Sequence, residues 1–137
     1  MADRKQAKEL AKKLGISKGM GLAIVNPPYG FVQSLMEIRE DMRSMHTDVK
    51  NNEAMNMDMA IYFSRGRKGL EEAIPRLVEG LLPDGVLWIG YLKPKVLKAD
   101  LNEKVVRELG QKNGMTVAGS MEISEEWPML KLVRESG

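Results

Sequence analysis

The order of apolar and polar positions predicts alternating helices and strands along most of the chain. Over residues 3–14, Ala7, Leu10, Ala11 and Leu14 recur at helical spacing with lysines between them. Asp3 is the expected N-cap and Gly15 the expected terminator. Residues 20–25 (MGLAIV) form a continuous apolar run stopped by Asn26-Pro27-Pro28, the pattern of a buried strand. Residues 31–42 predict a helix facing inward through Leu35, Ile38 and Met42, and residues 45–50 a short strand. Residues 55–64 (MNMDMAIYFS) read as a strand. A helix follows from about 66 to 82, burying Leu70, Ala73, Ile74, Leu77, Val78 and Leu81 and kinked at Pro75. Residues 85–92 (GVLWIGYL) predict another strand. Asp100-Leu101-Asn102-Glu103 has the spacing of a capping box and opens a helix to Asn113, closed by Gly114. Residues 115–123 and 129–135 are the last two strands, separated only by SEEWP.

Strands alternating with helices predict right-handed crossovers and a parallel sheet covered on both faces. The final pair lacks a helix between its members, so it is expected to form an antiparallel hairpin. The fold class expected is therefore three-layer α/β, with a mostly parallel sheet of about six strands. No internal repeat, linker or low-complexity segment divides residues 1–137, which read as one domain.

Composition changes this picture little. Of 137 residues, 43% are hydrophobic and 29% charged, which suits a folded domain. The net charge of +2 is too small to demand nucleic acid or an anionic membrane as partner. The absence of cysteine excludes disulfides, thiolate nucleophiles and cysteine-based metal sites. No run approaches the ~20 apolar residues of a membrane span, and MADRKQAKEL lacks the apolar core of an export signal, so a cytoplasmic location is expected.

Met57-Asp58-Met59-Ala60-Ile61 resembles the fourth-strand segment of the S-adenosylmethionine-dependent methyltransferases, a Rossmann-like superfamily. Leu81-Leu82-Pro83-Asp84-Gly85-Val86-Leu87-Trp88-Ile89 resembles their Leu-Lys-Pro-Gly-Gly turn and fifth strand. Four further stretches resemble the family catalogued as domain of unknown function 3052. They are residues 14–20, Val25-Asn26-Pro27-Pro28-Tyr29-Gly30-Phe31, residues 82–88, and Glu126-Trp127-Pro128-Met129-Leu130-Lys131-Leu132-Val133. That resemblance implies a small stand-alone bacterial or archaeal protein and transfers no catalytic residue.

Asn26-Pro27-Pro28-Tyr29 resembles the Asx-Pro-Pro-aromatic turn of methyltransferases acting on exocyclic amines, in which the turn accepts hydrogen bonds from the amine and its ring stacks on the substrate. Here the string follows the first strand, where cofactor-binding glycines would stand, so it reads first as a rigid turn leaving that strand. Gly15, Gly19 and Gly21 precede that strand, so they read as a helix stop and turn and not as a phosphate loop. Gly66-Arg67-Lys68-Gly69, with Arg65, would open a helix whose free amides and positive charge suit an anion, or would be a solvated turn. Met55, Met57 and Met59 alternate with polar residues and read as core packing, not copper ligands. His46 reads as a surface histidine, and Trp127 as a core anchor or pocket wall at the hairpin.

Ligands of open α/β sheets bind outside the carboxyl ends of the strands. The candidate ligand-binding residues are accordingly Asn26, Tyr29, Ser64, Arg65, Arg67, Lys68, Lys93 and Lys95, with no catalytic residue and no metal site assigned. Without a glycine-rich loop, the leading expectation is a non-enzymatic or vestigial methyltransferase-like domain with no cofactor, binding a small anionic ligand or a protein partner. The alternative is an S-adenosylmethionine-dependent methyltransferase acting on an amine through Asn26 and Tyr29. A nucleic-acid accessory role through the amino-terminal lysines is the third reading.

Overall fold

In the computed structural model, which describes residues 4–47, 56–92 and 101–135, the amino-terminal apolar stripe forms helix α1 (Arg4–Leu14). Ala7, Ala11 and Leu14 are buried while Lys8, Lys12 and Lys13 face solvent. Gly15 stops the helix at φ 84°. Its N–H donates to the Lys12 carbonyl at 3.2 Å and that of Ile16 to Ala11 at 2.8 Å, the paired bonds of a left-handed helix end. The Leu14 carbonyl, otherwise orphaned, accepts from the buried Trp88 indole at 2.8 Å, which pins α1 to the sheet.

Strand β1 (Gly21–Val25) runs into α2 (Phe31–Leu35), which tightens into a 3-10 turn over Met36–Asp41. The single helix predicted over 31–42 is thus divided. Leu35 and Ile38 still both point inward, because the tighter turn brings residues three apart into line. The remaining elements are β2 (Ser44–His46), β3 (Met57–Ser64), α3 (Arg67–Gly80), β4 (Leu81–Tyr91), α4 (Glu103–Lys112), β5 (Met115–Ser124) and β6 (Trp127–Arg134).

Three boundaries differ from the sequence reading. Helix α3 ends at Gly80, and Leu81 pairs in the sheet opposite Met57. Val86 then faces Met59, so residues 82–85 bulge from the ladder and β4 is longer than the run 85–92 predicts. Helix α4 is capped by Asn102, whose side chain accepts the Val105 N–H at 2.9 Å, because Leu101 is buried and cannot sit in a solvated first turn. The hairpin turn is only Glu125 and Glu126, since Trp127 already pairs with Ser124. Asp3, Met55 and Asp100, also named above, lie outside the described residues.

The sheet order is β2-β1-β3-β4-β6-β5. The first four strands are mutually parallel, β6 is antiparallel to β4, and β5 is antiparallel to β6. Both faces are covered, giving the expected three-layer α/β architecture. Met59, Ile61 and Phe63 pack against α1 and α2, while Ala60 and Tyr62 join the cluster of Leu70 and Ile74 from α3 and Val106 and Leu109 from α4. The bulge between Met57 and Met59 sends Met57 to the α3 side, so strict alternation fails there. Both methionines are buried packing residues.

From β1 the chain moves outward to β2 and then returns to β3 on the other side of β1. The carboxyl ends of β1 and β3 therefore flank the switch point, where an open sheet leaves a crevice.

Candidate functional site

The residues following β1 enter this crevice under tight backbone control. Asn26 adopts φ 53°, a left-handed conformation that asparagine tolerates better than most residues. Pro27 and Pro28 stiffen the next two positions, and Gly30 turns left-handed again at φ 88° to open α2. The Asn26 side chain is hydrogen-bonded to the Tyr62 phenol at the end of β3. Its backbone carbonyl accepts from the Arg65 guanidinium at 3.3 Å. Burial pushes the Tyr62 phenol above its ordinary range; the Asn26 bond opposes this, Glu72 adds to it and Arg65 works against it.

Arg65 also reaches the hairpin. Its guanidinium lies 5.3 Å from the centre of the Trp127 ring, within cation–π range. Trp127 is buried and meets Phe63 edge-on at 5.3 Å, and Phe63 meets Phe31 edge-on at 4.8 Å. An aromatic chain thus joins the start of β6, the end of β3 and the start of α2. Beside it opens a cleft of about 490 Å³, lined by Leu10 of α1, Pro28 to Phe31 and Ser34, and on the hairpin side by Ile123, Ser124, Glu126 and Trp127. Tyr29 stands fully exposed at its rim.

The structure divides the sequence-derived candidates. Asn26 and Arg65 are brought together, and Tyr29 lines the cleft. Ser64 is buried, and its hydroxyl donates to the Gly66 carbonyl at 2.9 Å, closing the turn into α3. The helix opens at Arg67, inside the predicted window, but Arg67 pairs with Glu71 at 2.8 Å. Lys68 is exposed, while Lys93 and Lys95 lie outside the described residues. His46 is exposed at the end of the edge strand β2. Phe31, Ser34, Ile123 and Ser124 were not singled out from sequence. The hairpin reaches them only because β6 runs antiparallel beside β4, so its tip arrives at the carboxyl edge. Among the described residues, no group of three or more His, Asp or Glu side chains is arranged to hold a metal ion, and no helix is long and apolar enough to cross a membrane.

No family model matches the chain, and no curated protein matches it. Solved structures do. The magnesium protoporphyrin IX methyltransferase of Synechocystis PCC 6803 with bound S-adenosylmethionine is 15% identical, with a TM-score of 0.67 over 96% of this chain and 79% of that one. The 1,6-didemethyltoxoflavin-N1-methyltransferase of Burkholderia thailandensis with bound S-adenosylhomocysteine is 12% identical, with a TM-score of 0.66 over 97% and 78%. A TehB-like S-adenosylmethionine-dependent methyltransferase of Corynebacterium glutamicum is 11% identical, with a TM-score of 0.59 over 94% and 88%.

The chain therefore has the methyltransferase-like Rossmann fold. The expectation of a non-enzymatic domain without a cofactor is corrected by these likenesses, which pair this fold with methyltransferases and, in two of them, with the bound cofactor or its product. The segment after β1 does lack a glycine-rich string. The loop after β1 obtains two left-handed positions without it, at Asn26 and Gly30, and the cleft is built from segments about a hundred residues apart.

Proposed function

We propose that this chain is an S-adenosylmethionine-dependent methyltransferase acting on an amine. The carrying observation is the aromatic-walled cleft of about 490 Å³ beside the switch point. Its volume falls in the range of about 300–1,000 Å³ typical of small-molecule sites. The lining suits the parts of the cofactor. Tyr29, Phe31 and Trp127 offer aromatic surface to an adenine, and Ser34, Ser124 and Glu126 offer hydrogen-bonding groups to ribose hydroxyls. Arg65 supplies positive charge for a carboxylate. Pro27 and Pro28 have no N–H, so side chains replace the amide cradle of a glycine loop.

When bound, S-adenosylmethionine supplies an electrophilic methyl group on a sulfonium. Asn26, held by Tyr62, is the side chain that would take a hydrogen bond from the acceptor amine and orient its lone pair. Tyr29 would stack on a planar acceptor. The resemblance to the family of unknown function 3052 belongs with this reading, because two of its motifs, Val25 to Phe31 and Glu126 to Val133, contribute the two walls of the cleft.

Titration calorimetry with S-adenosylmethionine and S-adenosylhomocysteine tests the proposal. Dissociation constants of about 1–100 μM are expected, near −8 to −5.5 kcal/mol, with a change in tryptophan fluorescence that is lost in Trp127→Phe. No heat and no fluorescence change up to roughly 1 mM would overturn it.

A further inference from the structure

We draw no further inference here: the strongest candidate, the outward edge of the terminal strand β5, is broken by register shifts between Val117 and Gly119 and between Glu122 and Ser124, and nothing in the structure shows what covers it.

Discussion

Tyr62 and Tyr91 both sit at carboxyl ends of strands, and both are buried with their phenols raised above the ordinary tyrosine range. Burial is the largest cause for each. The sign of the consequence follows from linkage. A raised phenol keeps its proton longer in the folded state, so above pH ~10 the unfolded chain binds fewer protons than the folded one. The stabilising contribution is complete below the unfolded pKa and is lost as pH rises through the folded value. Urea midpoints should therefore hold steady near about pH 9 and fall above about pH 10. Tyr62→Phe and Tyr91→Phe combined should flatten that fall. An unchanged slope would assign the alkaline loss to the lysines, which titrate in the same range. The same scale shows how far single residues could be read in advance. Asn26 and Tyr29 stand out in sequence because proline-flanked polar turns are rare and stiff. Tyr62 does not, because its partnership with Asn26 joins positions that meet only once β1 and β3 lie side by side.

At the scale of elements, apolar period decided most of the assignment. Helix α1, strands β1 and β3 and the final hairpin lie close to where the pattern puts them. The misplacements fall where a tertiary contact overrides local preference. Leu81 continues the helical stripe of α3 in sequence, yet it leaves the helix to pair opposite Met57. What secures that exit is Arg134, near the end of β6. Its Nη2 donates to the Val78 carbonyl at 2.9 Å and to that of Leu81 at 3.2 Å, and its Nη1 to those of Leu82 at 2.6 Å and Pro83 at 3.3 Å. One guanidinium thus caps the carbonyl end of α3 and braces the bulge after it, with the charge sign a helix C-terminus favours. No local sequence signal marks this, because Arg134 is more than fifty residues away. Arg134→Met should destabilise the fold by about 1.5–3 kcal/mol, the range for bonds to a charged group, and speed hydrogen exchange in the last turn of α3. Exchange unchanged there would mean that the carbonyls are satisfied by water as well as by the arginine.

At the scale of the whole molecule, the cleft exists because two distant segments are held at one edge of the sheet. The segment after β1 is fixed by its own backbone, but the hairpin tip is a two-residue turn projecting beyond the paired strands. Arg65 is the side chain that touches both, through the Asn26 carbonyl and the Trp127 ring. It is exposed, so its contribution to global stability is small. A surface cation–π contact is worth about 0.5–1 kcal/mol, and hydrophobic burial of Trp127 against Phe63 outweighs it. Its effect on a ligand spanning the cleft should be larger, since holding both walls in place in advance removes an ordering cost from binding. Arg65→Ala should therefore shift the urea midpoint little while weakening S-adenosylmethionine binding about ten-fold. Arg65→Lys keeps the charge but loses the planar stacking surface, so it should recover only part of that affinity. If Arg65→Ala instead lowers stability and leaves binding intact, the arginine is a brace for the hairpin and the cleft is organised by its aromatic chain alone.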